Sequence, residues 1–166
     1  MATALFIKRD DLVKNTALNG NVDTDKFIQF IKIAQEIHVR NYLGTELYNK
    51  ISADILASSL SGDYLTLVNT YIQPMLIHFA MSEYLPFAAY SVSNGGVFKH
   101  NSENSTTVSK NEIDLLTQKE RDYAEYYTRR FIEHMSFNSH LFPEYNSNSG
   151  EDIYPDKNSL FHGWVL

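Results

Sequence analysis

Residues 34–48 read AQEIHVRNYLGTELY, and the glycine within this stretch, Gly44, decides how the chain folds. Upstream of it, Phe27, Phe30, Ile31, Ala34, Ile37 and Tyr42 recur at helical spacing, with Gln29, Lys32, Glu36 and Arg40 on the other side. Asp23 has the chemistry of an N-cap, and Asp25 suits the positive end of a helix dipole. Downstream, Leu47, Tyr48, Ile51, Ile55 and Leu56 form a second apolar face, for which Thr45 reads as the N-cap. A glycine directly after Leu43 takes up the positive-φ backbone with which helices end. The stretch therefore predicts two helices joined at one residue.

Outward from this junction the chain stays helical. Phe6 to Asn15 reads as extended or as a short helix, with Asp10 and Asp11 opening a turn through Leu12, Val13 and Lys14. Asn19-Gly20-Asn21 signals a turn, because both residue types tolerate positive φ. Asp63 opens a third helix through Tyr64, Leu67, Val68, Tyr71 and Ile72, which Pro74 should kink or split. From Met75 to Tyr90 the chain is apolar on nearly all sides, as suits a central helix or one covered by a neighbouring chain, and Pro86 offers a second kink. Ser91 to Val108 is not helical. There Val97-Phe98-Lys99 and Thr106-Thr107-Val108 flank a polar run at 101–105, which predicts a small hairpin projecting from the helical body. Ser109 to Glu112 matches a capping box, and a last helix runs on through Ile113, Leu116, Tyr123, Tyr127, Phe131 and Met135.

Beyond Leu141-Phe142-Pro143 the composition changes. Asn146-Ser147-Asn148-Ser149-Gly150 reads as a flexible linker. It leads to Ile153-Tyr154-Pro155 and to an apolar end, SLFHGWVL, that carries the only tryptophan. The expected fold is mainly α: a four- to five-helix bundle with a small projecting β-hairpin and an extended C-terminal arm. Residues 1–142 would form the helical domain, with the hairpin inserted at about 93–108, and 143–166 the arm.

Composition narrows the function. In 166 residues, 43% hydrophobic and 20% charged residues describe a globular chain. No apolar run approaches the ~20 residues that span a bilayer. Met1 to Ile7 is followed at once by Lys8-Arg9-Asp10-Asp11, unlike a signal peptide. Without cysteine there are no disulfides and no thiolate metal sites. A net charge of −6 disfavours sequence-independent attraction to nucleic acid or anionic membrane.

Catalytic signatures are missing. There is no phosphate loop, dinucleotide fingerprint or nucleophile elbow. A di-iron bundle needs Glu-x-x-His on two helices, and this chain has none. The histidines lie on separate segments and read as surface or interface residues rather than ligands, so no metal or cofactor is expected. Arg129 and Arg130, with Lys110, Lys119 and Arg121, are balanced by Glu112, Asp114, Glu120, Asp122 and Glu125, the mark of a solvated face. Tyr123, Tyr126 and Tyr127 read as core and interface rather than base-stacking residues. Asn104-Ser105-Thr106 fits a glycosylation acceptor only in spelling. One catalytic alternative is an enzyme with His78, Glu83 and Tyr71 meeting near the Pro74 kink, where a His–Glu pair could do acid–base work.

Three stretches together resemble a known family: Phe6-Ile-Lys-Arg-Asp-Asp-Leu, Gly20-Asn-Val-Asp-Thr-Asp-Lys, and the Ala-Gln…Ile…Leu-Gly-Thr…Leu-Tyr pattern of 34–48. They are similar to head–tail connector proteins of tailed phages, also called adaptors or head-completion proteins. The resemblance extends through the Pro74 helix to Leu141-Phe-Pro-Glu-Tyr. It implies a mainly helical, non-enzymatic virion protein, assembled in the host cytoplasm and placed in the portal–tail region. It also implies a ring of about twelve copies attached to the portal protein and to another tail or ring protein. DNA would only pass through the lumen, and no membrane would be involved. The long aromatic C-terminal tail departs from the family pattern. Phe161, Trp164, Leu166 and Tyr154 on the arm, with Val97 and Phe98 in the hairpin, are the candidate interface residues, the arm docking on a neighbour or folding back in cis. A regulatory binding module with a C-terminal peptide motif is a third expectation.

Overall fold

Two sites of hydrogen-bond slippage and one glycine set the course of the chain. The computed structural model describes residues 4–18, 24–88, 90–93, 96–99 and 109–158. Helix α1 is Arg9–Asn15, in agreement with the short turn expected there. Helix α2 runs over 24–43 and is interrupted by a π-helical turn at Gln35–Val39, where the Arg40 amide donates to the Gln35 carbonyl five residues back. Helix α3 is Thr45–Leu56. Helix α4 runs over 62–84 with its own π turn at Val68–Ile72. Helix α5 is Lys110–Asn138.

The π turn of α4 answers the question posed by Pro74. A proline inside a helix lacks an amide and crowds the carbonyl four residues earlier. The extra residue in the turn just before it shifts the ladder, and the Gln73 amide donates to the Val68 carbonyl. The helix continues to Tyr84 instead of splitting. Pro86 lies in a short 3₁₀ turn, Leu85–Phe87.

Helix α4 is central, as its apolar surround suggests. Met75, Leu76, Ile77, Phe79, Ala80, Met81 and Tyr84 are all buried. It packs against α2 on one side and along α5 on the other, and α1 touches it as well. Phe27 and Phe30 of α2 meet Tyr84 with ring centroids 4.6 and 5.4 Å apart. Ala124, Thr128, Phe131, Ile132 and Met135 are the buried positions of α5. Its start is capped as expected: the Glu112 amide donates to Ser109 Oγ at 3.3 Å, and the Ser109 amide donates to Glu112 Oε2 at 2.8 Å.

Three expectations need correction. Ile37, placed on the core stripe of α2, is 62% exposed, whereas Gln35 and Val39 are buried. The π turn adds a residue to that helical turn and rotates Ile37 outward. The expected hairpin pairing of 97–99 with 106–108 is not supported. The short antiparallel pair instead joins β1 (Tyr90–Ser93) to β2 (Gly96–Lys99), with Ser93 opposite Gly96. The run at 106–108 lies outside the described residues. Thr45 is not the side-chain cap of α3: Gly44 occupies that position, and the Thr45 hydroxyl serves another segment.

Candidate functional site

Around Gly44 the segment Ile153–Asp156 is fastened to the α2–α3 junction. Gly44 has φ +75° and ψ 159°, a conformation that side chains other than hydrogen oppose. Its bare Cα leaves room for Pro155. A Cβ built there would lie 2.6 Å from Pro155 Cδ and 2.7 Å from Cγ. Against this notch the tail forms two backbone hydrogen bonds of 2.9 Å, the Thr45 amide to the Ile153 carbonyl and the Asp156 amide to the Asn41 carbonyl. The Ile153 amide donates to Thr45 Oγ1 at 3.2 Å.

Charged and polar side chains secure the flanks. Arg40 reaches Asp152 and Glu36, each at 3.0 Å. Glu46 accepts from Ser147 Oγ, and also from the amide and hydroxyl of Ser149 at 2.5 and 2.6 Å. These donors hold the Glu46 carboxyl below the usual carboxylate range, the Ser147 hydroxyl contributing most. Lys157 donates to Asn146 Oδ1 and to Tyr154 Oη, and its ammonium lies 4.7 Å from the Tyr145 ring centroid. The stretch 146–150, expected as a flexible linker, is thus hydrogen-bonded to the body at Glu46 and, through Asn146, at the Ser139 carbonyl.

The N-terminal segment is held from the same helix. Gln35 is buried, and its side chain makes three hydrogen bonds. Oε1 accepts from the Phe6 amide at 2.9 Å, and Nε2 donates to the Ala4 carbonyl at 2.8 Å and to Tyr48 Oη at 2.9 Å. Gln73 donates to the Phe6 carbonyl at 2.9 Å. Both glutamines border a π turn, and both satisfy backbone groups that the buried segment could not pair otherwise. Tyr48 passes the network on, donating to Glu36 Oε1 at 2.7 Å. Burial, reinforced by Glu36, pushes the Tyr48 phenol up to about 12, so it remains a donor at neutral pH. From Ala4 to Asp152 the N-terminal segment and the tail are linked through Gln35, Tyr48, Glu36 and Arg40.

The residues of the catalytic alternative do not converge. His78 Nδ1 lies 2.6 Å from Glu120 Oε2 of α5, with its ring parallel to Tyr127. Glu83 pairs instead with His38 Nε2 of α2 at 2.8 Å, and His38 stacks on Phe79. Tyr71 stacks on His134. His78 and Tyr71 tie α4 to separate places on α5 and Glu83 ties it to α2, so the pairs act as cross-helix ties. Among the described residues no group of three His, Cys, Asp or Glu is placed to hold a metal ion.

Of the sequence-predicted interface residues, Tyr154 lies half-exposed on the docked tail. Val97 and Phe98 belong to β2. Phe161, Trp164 and Leu166 lie outside the described residues. The structure adds an apolar face that the periodicity of α5 understates. Leu115, Leu116, Tyr126 and Phe137 are between 49% and 82% exposed on α5, and Tyr123 is half-exposed beside the His78 ring, 5.3 Å between centroids. No residue from 110 to 123 is buried. Among the described residues no helix is long and apolar enough to cross a membrane.

These features define a helical bundle in which residues 4–6 and 147–157 are fastened to α2 and the start of α3. Residues 39–154 match the model of a family of unknown function, DUF6712, and the chain belongs to that family. The matched region begins inside the π turn of α2 and ends in the docked tail, so it spans the Gly44 clamp. No curated protein and no solved structure matches the chain.

Proposed function

We propose that this protein is a non-enzymatic structural component of a tailed-phage virion, forming a ring on the portal and connecting the capsid to the tail. The observation that carries the reading is the second apolar face of α5. A long helix that buries one face on α4 and offers aromatic and leucine side chains on the other is built to pack against another subunit. Tyrosine and phenylalanine are the residues that concentrate in such interfaces. The resemblance of residues 6–12, 20–26 and 34–48 to head–tail connectors supplies the setting.

In this reading the mechanism is mechanical. Copies of the chain close into a ring on the portal, and the arm residues Tyr154, Phe161, Trp164 and Leu166 make contacts between subunits. The ring presents a docking surface to the next tail or ring protein. The acidic chain lets DNA pass without adhering, because like charge opposes phosphate binding. The pairing of His78 and Glu83 with separate partners favours this over the catalytic alternative. Interrupting the gene in a phage that carries it tests the reading: filled heads and tails should accumulate unjoined. Normal tailed particles lacking this protein would refute it.

A further inference from the structure

Three exposed apolar side chains of α5 recur at one interval. Leu115, Tyr126 and Phe137 are eleven residues apart and 61%, 50% and 82% exposed. Eleven residues make three helical turns and a remainder of about 20°, so the three stand close to one line along the helix, about 16 Å from one to the next. The line points away from the bundle. Tyr126 lies two residues from Ala124 and from Thr128, and Phe137 two from Met135, and all three of those neighbours are buried. Two residues turn a helix by about 200°, which puts the line on the opposite side from them. Charged residues fill the gaps: Lys119 and Asp122 before Tyr126, and Arg129, Arg130 and Glu133 after it. All of these except the half-buried Arg130 are exposed. Arg129 lies over the Tyr126 ring, Arg130 over the Tyr71 ring, and Asp122 accepts from Gln118.

We propose that this face of α5 packs antiparallel against the same face of a second copy, about a two-fold axis at Tyr126. Charge decides the partner. Leu115 and Phe137 stand eleven residues before and after Tyr126, Lys119 and Glu133 seven, and Asp122 and Arg130 four. In an antiparallel pair centred on Tyr126, Leu115 of one copy is therefore level with Phe137 of the other, Lys119 with Glu133, and Asp122 with Arg129 and Arg130. The face is complementary to itself, apolar to apolar and charge to opposite charge, and the two-fold repeats each meeting, as an isologous contact requires. A parallel pair would set Lys119 on Lys119 and Glu133 on Glu133, which like charge opposes. The apolar line supplies the buried area. The charges supply direction and register, since ion pairs this exposed add little affinity. A two-fold pair closes with two copies and cannot continue round a portal. It thus goes beyond the ring reading and is a state of the free chain, and copies that enter a ring through this face must first part.

Charge reversal in the full chain tests the pair. Light scattering of the wild type should show the mass rising with concentration from 19.1 kDa to twice that value. Lys119→Glu sets like charges together at both copies of its contact, and Glu133→Lys does the same. Each variant alone should need about tenfold more protein to pair. Both positions are exposed, so the circular dichroism spectrum should not change. An equimolar mixture of the two variants restores opposite charges at both contacts, and native mass spectrometry should find one chain of each in the pair at close to wild-type strength. The chain has no cysteine, so Ser136→Cys accepts a single spin label. In the antiparallel pair two such labels lie about 30 Å apart along the axis, whereas a parallel pair would bring them side by side. A wild type that stays monomeric at every concentration would overturn the proposal, as would a dimer indifferent to both reversals. Reversals that weaken the pair without recovery in the mixture would overturn the antiparallel register and the proposal with it. A chain that pairs as described yet ignores added portal protein would uphold the pair and overturn the ring reading alone.

Discussion

Replacing Gly44 by alanine should lower stability by about 4 kcal/mol and loosen the tail. A non-glycine residue held at φ +75° and ψ 159° carries strain of about 1–3 kcal/mol. The added Cβ would also stand 2.6 Å from Pro155 Cδ, and Pro155 is buried, so the tail must move. Movement there breaks the hydrogen bonds Thr45–Ile153 and Asp156–Asn41, each contributing about 0.5–1.5 kcal/mol net. For a chain of this length the sum corresponds to a fall in Tm of roughly 10 °C. Urea denaturation followed by circular dichroism measures the loss, and limited proteolysis reports cleavage in 147–158. The double variant Gly44→Ala, Pro155→Ala separates the two causes. It removes the contacts with the proline ring, leaving only the backbone nitrogen of residue 155 at 3.1 Å, but not the strain, so tail protection should largely return while about half of the stability loss remains. A loss below about 1 kcal/mol with the tail still protected would refute this account of the junction.

Gln35→Met keeps the volume but leaves the Phe6 amide and Ala4 carbonyl unpaired, which should cost about 2–5 kcal/mol in a urea midpoint measurement; a change under about 1 kcal/mol contradicts the network. Glu120→Ala should cost about 1–2 kcal/mol by removing the His78 tie between α4 and α5, with m unchanged. The Glu46 carboxyl titrates lower in the folded chain than in the unfolded one. Its contribution is therefore present above the ordinary carboxylate pKa and is lost as pH falls through the folded value. Tail cleavage should accelerate on acidification below about pH 4.5, and Glu46→Gln should give the fast rate at neutral pH. Burial lowers the His134 pKa, so its contribution is complete above about pH 6.5 and is lost as pH falls below it. The stability difference between the wild type and His134→Phe should change with pH across that window and be flat above it.

Features encoded by neighbouring residues can be read directly. The glycine after Leu43 sits at positive φ and ends a helix, and Ser109 with Glu112 caps the longest one. The apolar surround of residues 75–84 marks the central helix. Features that depend on distant partners are hidden. Gln35 looks like an ordinary polar helix residue, and its role becomes visible only when Ala4 and Phe6, about thirty residues away, lie against it. The asparagines and serines of 146–150 have the composition of a linker, yet Glu46, a hundred residues earlier, supplies their acceptor. A π turn has no sequence signature of its own, so helical spacing alone puts Ile37 on the wrong face. The two residues between Ser93 and Gly96 are Asn94-Gly95, a strong hairpin signal that outweighs the polar run at 101–105. The surface of α5 is hard to read because Tyr123 shares its helical spacing with Tyr127 and Phe131: both tyrosines lie against His78, and only the packing shows that Tyr123 stays half-exposed while Phe131 is buried.

The most direct test of the proposed role is native mass spectrometry of the chain, alone and mixed with the portal protein that this reading expects to be encoded near it. The account predicts a closed multiple of the 19.1 kDa chain bound to the portal oligomer. A chain that stays monomeric at every concentration and leaves the mass of the portal unchanged would contradict it.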